Sequence, residues 1–142
     1  MADSLRIACE RLSGSGLLAT TANIHGDFYL FLVDTGTNYS TLNTDLIQRL
    51  RLPRSIGLRP TPVAGAKVVD PPPGRYRIDY LTLSGQGRDY VITDLEITDS
   101  RHGEDLQADG VLGMSFFEKF DRVVLDLLLP SLELIWDTTS GS

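Results

Sequence analysis

An acid, a hydroxyl and a glycine in succession, Asp34-Thr35-Gly36, follow the apolar run Phe28-Tyr29-Leu30-Phe31-Leu32-Val33. A strand that ends this way presents a carboxylate at a tight turn, where glycine permits close backbone approach. Alone, such an Asp is a common turn residue that hydrogen-bonds its own backbone two positions on. Two of these turns face to face do more. Their carboxylates hold one proton between them, so the pair can deprotonate water and polarise a carbonyl at the same time. The triplet occurs once in 142 residues, so a facing pair needs two copies of the chain. The other reading is a domain that keeps the scaffold without the chemistry. A chance occurrence is expected in roughly a few per cent of chains this long, so the surrounding elements must decide.

Those elements are mostly strands. Leu17 to Ile24 and Asp27 to Val33 flank a hairpin-like turn at His25-Gly26. Thr37 to Leu42 leads into a predicted helix over Thr44 to Leu50, with Asn43 as its N-cap. Arg75 to Leu83 and Asp89 to Ile97 flank the glycine-rich turn Ser84 to Arg88. Further on, Gly110-Val111-Leu112-Gly113 sets two apolar residues between glycines, with a short helical stretch to Phe120 behind it. Arg122 to Leu127 and Leu132 to Trp136 read as strands, and Leu5 to Leu12 as a short amphipathic helix or a peripheral strand. Phe31, Ile78 and Ile92 are candidates for the core or for a substrate pocket. Leu134 to Thr139 repeats the apolar-then-Asp-Thr pattern without the glycine, and too little chain follows it to build a second lobe.

Together, the apolar strand into Asp34-Thr35-Gly36, Val111-Leu112-Gly113 downstream and the terminal strands resemble the single-domain, retropepsin-like aspartic proteases, bacterial members included. The resemblance implies an all-β fold, a closed barrel-like half-lobe with one or two short helices, active as a homodimer. It implies that Asp34 is the catalytic carboxylate, one from each subunit, that Thr35 ties the two turns together, and that Gly36 lets the backbone approach. Thr37, Val111, Leu112 and Gly113 would support the turn, with Val111 and Leu112 beneath it and Gly113 avoiding a clash. A flap closing over an extended peptide would have its tip at Ala64-Gly65-Ala66, beside the stiff run Asp70-Pro71-Pro72-Pro73-Gly74. Two departures stand out: Thr37 takes the place where retroviral enzymes have alanine, and Gly113-Met114-Ser115 replaces their glycine-arginine-asparagine. Without that arginine, the network behind the turn must be held differently.

Composition narrows the classes further. Residues 17–137 are expected to form the protease-like domain, with an N-terminal extension over 1–16 and a flexible tail over 138–142. A formal net charge of −6 argues against nucleic acid as a partner, because phosphate binding needs a basic surface. The expected partners are a second copy of the chain and a peptide or protein substrate. No apolar run reaches membrane-spanning length and no signal-peptide pattern opens the chain. Cys9 is the only cysteine, which favours a reducing compartment such as the cytoplasm. A lone thiol without a specified base is a packing or surface residue rather than a nucleophile. His25, and His102 among the acids of Arg101 to Asp105, make poor ligand sets, so neither metal nor organic cofactor is expected. The alternative function is a non-catalytic dimerisation or peptide-binding domain of the same fold. A third is a protease that cuts only itself or one tethered partner.

Overall fold

Alternating apolar and polar side chains fit a pleated, half-buried surface, and most of this chain is accordingly strand. The computed structural model describes residues 2–55, 74–100 and 107–138. Its elements run β1 (Ala2–Ala8), β2 (Glu10–Arg11), β3 (Leu18–Ile24), β4 (Asp27–Val33), β5 (Ser40–Asn43), α1 (Thr44–Leu50), β6 (Arg75–Gly85), β7 (Arg88–Ser100), β8 (Gly110–Leu112), α2 (Met114–Phe117), β9 (Arg122–Asp126) and β10 (Ser131–Asp137).

The larger sheet has the order β2-β3-β4-β8-β5-β7-β6, and the pairing of Asn23 with Thr82 joins β3 to β6. That contact closes β3, β4, β8, β5, β7 and β6 into a barrel, which removes the free edges an open sheet would leave. Short β8 lies between β4 and β5, parallel to the first and antiparallel to the second. The chain leaving β4 must therefore cross the end of β8 to become β5. Residues 34–39 make that crossing, which puts Asp34-Thr35-Gly36 at the rim of the barrel.

The first sixteen residues supply two strands. β1 pairs antiparallel with β10, and β10 with β9, in a separate three-stranded sheet. Of the two structures open to Leu5–Leu12, strand is the one adopted, because Leu5 and Ile7 point into the core while Arg6 and Ala8 face out. Arg88 fastens this strand to the β6–β7 turn by donating to the Ser4 carbonyl and the Asp3 carboxylate, each at 3.0 Å. Phe31, Ile78 and Ile92 all lie in the core, with Leu42, Leu95, Leu112, Phe116 and Leu134.

Two details depart from simple strand periodicity. The inward residues of β6 switch from Ile78 to Leu81 and Leu83, and those of β7 from Ile92 to Leu95 and Ile97. Both shifts occur where Asp79 and Asp94 drop out of register, and Asp94 has φ +65°. Such a local irregularity bends a long hairpin around a barrel. At α1, Asn43 occupies the N-cap position but makes no side-chain cap; its Nδ2 instead donates to the Ala108 carbonyl at 3.3 Å. The helix is held by burial of Leu46 and Ile47 rather than by capping.

Candidate active site

The turn after β4 is built on β8. Leu32 and Val33 run beside Val111 and Leu112, and the Asp34 amide continues the ladder by donating to the Leu112 carbonyl at 3.0 Å. Beyond that bond the chain turns away from the sheet. The Gly36 amide donates to Asp34 Oδ1 at 2.9 Å, and the Thr37 amide reaches the Asp34 carbonyl at 3.5 Å. Asp34, Thr35 and Gly36 are exposed, so the carboxylate stands on the surface of the protomer with one oxygen fixed by backbone. A β-carbon on Gly36 would sit 3.2 Å from Asp34 Oδ1, a tight approach that only glycine avoids without adjustment. Among the described residues, the Thr35 side chain makes no hydrogen bond.

The supporting residues lie in two layers. Leu112 is fully buried, whereas Val111 is half-buried. Gly113 is enclosed directly beneath the turn: a β-carbon there would meet the Tyr39 carbonyl oxygen at 2.6 Å and the Thr37 carbonyl oxygen at 2.8 Å. Thr37 turns its methyl towards Gly113, and its contact with Asp34 is the backbone one. Met114 and Ser115 open α2 and donate their amides to the Thr37 and Asn38 carbonyls at 2.8 and 2.9 Å.

The departure from the glycine-arginine-asparagine pattern has a structural consequence here. Ser115 Oγ accepts from the Ser40 amide at 2.9 Å and lies 2.9 Å from Ser40 Oγ, which in turn accepts from the Gly113 amide at 3.0 Å. Ser40 is completely buried. In the sequence Ser40 is one of several hydroxyl residues after the triplet, and no spacing rule distinguishes it. Asp109 likewise carries no local sign of its role. Its carboxylate accepts from the Leu30 amide and its own amide donates to the Leu30 carbonyl, both at 2.8 Å, so it clamps β4 just upstream of the turn.

The helix behind these contacts is anchored by aromatics. Phe116 meets Phe117 edge-on at 5.1 Å and Phe120 at 5.5 Å, and Tyr90 packs 4.4 Å from Trp136 beside Phe120. Such pairs favour tilted or edge-to-face geometry over a flat sandwich.

A cleft of about 510 Å³ opens beside the far end of the turn, between Asn38 and Tyr39 on one side and Glu96 and Lys119 on the other. Arg75 lies over the Tyr39 ring at 5.2 Å and 3.7 Å from Glu96, while Arg77 pairs with Asp94 at 3.1 Å. Two of the cleft's carboxylates are thus matched by arginines, which removes any strong preference for a cationic ligand.

The flap residues Ala64, Gly65 and Ala66 lie outside the described residues. Among the described residues no cluster of three or more potential metal ligands forms, and no helix is long and apolar enough to cross a membrane. Cys9 is half-buried, and burial pushes its thiol up, the opposite of what a nucleophile needs.

A sequence profile of the family described as Aspartyl protease matches residues 20–116. No curated protein matches the chain. Among solved structures, a retropepsin-like aspartic protease from Rickettsia conorii is similar over 96% of this chain and 93% of its own, at 18% identity and a TM-score of 0.58. Conglutin gamma, a basic 7S globulin from lupine seeds, is similar over 99% of this chain but 51% of its own, at 10% identity and a TM-score of 0.55. The retroviral protease-like domain of Ddi1 from Leishmania major covers 79% of this chain and 82% of its own, at 16% identity and a TM-score of 0.49. At these identities the structural likeness is one of fold.

Proposed function

From the premise that this chain belongs to the aspartyl protease family and has a retropepsin-like fold, we propose that it is a homodimeric aspartic endopeptidase in which two Asp34 carboxylates activate water. One observation carries this reading. Asp34 is exposed at the barrel rim, yet its Oδ1 is held by the Gly36 amide and its own amide by Leu112. An exposed carboxylate on a rigid turn is suited to meeting its counterpart across a two-fold axis.

In the dimer, like charges a few ångströms apart do not both ionise, so the pair holds one proton. The ionised carboxylate takes a proton from water as the water oxygen bonds to the peptide carbonyl carbon. The protonated carboxylate donates to the carbonyl oxygen. On collapse of the tetrahedral intermediate the C–N bond breaks and the leaving nitrogen receives a proton from the pair. Thr35, whose hydroxyl makes no hydrogen bond among the described residues, tethers one turn to the other, and Gly36 allows the two backbones to approach. Val111, Leu112, Gly113 and Thr37 hold the turn from behind. Ala64, Gly65 and Ala66, outside the described residues, are assigned to substrate binding on the family resemblance alone. The chemistry calls for neither metal nor organic cofactor.

The test is cleavage of a peptide library from about pH 3 to about pH 8, the span over which carboxylates and imidazoles titrate, with Asp34→Asn beside the wild type and the oligomeric state measured on the same samples. Cleavage by the wild type that disappears in a still-dimeric Asp34→Asn variant is expected. A confirmed wild-type dimer that cleaves nothing would favour the non-catalytic dimerisation or peptide-binding alternative.

A further inference from the structure

The two hydroxyls behind the turn, Ser40 buried and Ser115 half-buried, can be assigned a direction. Each serine hydroxyl has one hydrogen to donate and two lone pairs. Ser40 Oγ accepts from the Gly113 amide at 3.0 Å, and Ser115 Oγ accepts from the Ser40 amide at 2.9 Å. The two oxygens are 2.9 Å apart, and Ser115 Oγ lies a longer 3.4 Å from the Glu96 carbonyl oxygen. Were the Ser115 hydrogen directed at Ser40, the hydrogen of the fully buried Ser40 would have no acceptor among the described residues. Burying an unmade donor is costly, so the opposite order prevails. Ser40 donates to Ser115, and Ser115 donates to the Glu96 carbonyl; every hydrogen then has an acceptor.

We infer that Ser40 and Ser115 are positioning residues for the reaction, a one-way hydroxyl relay that locks the end of the Asp34 turn to α2 and to β7. This inference rests on the catalytic reading of Asp34. The start of the turn is fixed by the Asp34–Leu112 bond, and its middle by the amides of Met114 and Ser115. At its end, where Ser40 pairs with Ile97 of β7 through the backbone, the relay adds a side-chain tie from the turn to α2 and, through the Glu96 carbonyl, to β7. Removing the Ser115 hydroxyl leaves both amide bonds to the turn in place. The turn and its backbone pairing to β7 therefore persist but lose the side-chain tie that fixes the turn against α2, and small misplacements of a reacting group are expensive in rate.

The experiment compares Ser115→Ala, Ser115→Thr and Ser40→Ala with the wild-type dimer. Ser115→Ala is expected to lower kcat by about 10- to 100-fold while KM changes little, and Ser115→Thr, which keeps the hydroxyl, to restore most of it. Ser40→Ala should behave like Ser115→Ala, and the double variant should be no worse than the weaker single. Amide hydrogen exchange supplies a readout independent of cleavage: the Ser40 and Gly113 amides should exchange faster in Ser115→Ala and recover in Ser115→Thr. Wild-type kcat in Ser115→Ala would overturn the inference. So would unchanged exchange at those amides, or a joint loss of kcat, KM and melting temperature that threonine does not rescue. A wild type that cleaves nothing removes the catalytic reading itself, and the exchange data then decide the lock separately.

Discussion

Gly113 lies so close under Thr37 that a β-carbon at position 113 would stand 2.8 Å from both the carbonyl oxygen and the methyl of Thr37. The closeness follows from topology. β8 ends at Leu112 between β4 and β5, and the turn joining those two strands passes over that end. The residue after Leu112 has nowhere to go except beneath the turn, and only a side chain of zero size fits.

Gly113→Ala should therefore push the turn outward. Gly113 has φ −110°, a value any residue adopts, so the cost is steric and not conformational. The opposing atoms are backbone carbonyls of Thr37 and Tyr39, which cannot rotate aside. A loss of about 1–3 kcal/mol is expected, with peptide cleavage falling further than the fraction folded accounts for. Denaturant unfolding and kcat measured on the same preparation check this; a neutral substitution would contradict the packing described.

Thr35 carries a different expectation. Thr35 is exposed and its hydroxyl makes no hydrogen bond among the described residues, so Thr35→Val should leave the melting of the isolated fold nearly unchanged. In a dimer tethered by these hydroxyls, the same variant should raise the dissociation constant by about tenfold or more, and Thr35→Ser should not. Sedimentation across a dilution series, with activity followed in parallel, separates this from a local effect on Asp34.

Much of the scaffold was legible in the sequence because its signals are local. Apolar strand runs and the His25-Gly26 and Gln86-Gly87 turns, all four turn residues with positive φ, mark the hairpins, and β4 and α1 fall on the expected residues. Less legible were features set by distant partners. Ser40–Asn43 has no strong strand pattern and becomes β5 because β8 and β7 flank it. Ala2–Ala8 reads ambiguously until β10 pairs with it. The Ser40–Ser115 pair joins residues 75 positions apart, and neither serine carries a local sign of burial. The turn announces itself through Asp34-Thr35-Gly36, while what holds it is assembled by topology.

Phe116 tests how far the aromatic anchor matters to the site. It is fully buried and contacts both Phe117 and Phe120. Phe116→Ala should cost about 3–5 kcal/mol through lost burial and the cavity left behind. Because α2 begins immediately after Gly113, Phe116→Leu, which retains most of the volume, should recover stability before it fully recovers cleavage. Parallel loss and recovery of the two would show that α2 contributes only to folding.

Acid stability should report on Asp126, at the tip joining β9 to β10. Its carboxylate accepts from the Leu128 amide at 2.9 Å and the Leu129 amide at 3.1 Å. The Leu129 bond first, then the Leu128 bond, holds the group below its ordinary value of 3.8. A carboxyl depressed in the folded state binds its proton more readily when unfolded, so its stabilisation is fully present above the ordinary value. It is lost as pH falls from there through the lower folded value. Asp126→Asn keeps an acceptor oxygen but no longer titrates. The stability difference between wild type and variant should thus be constant above about pH 5 and shrink below about pH 3.8. Urea unfolding at a series of pH values measures it, and a difference that stays flat through the acid range would mean that these two amide bonds do not favour the ionised form.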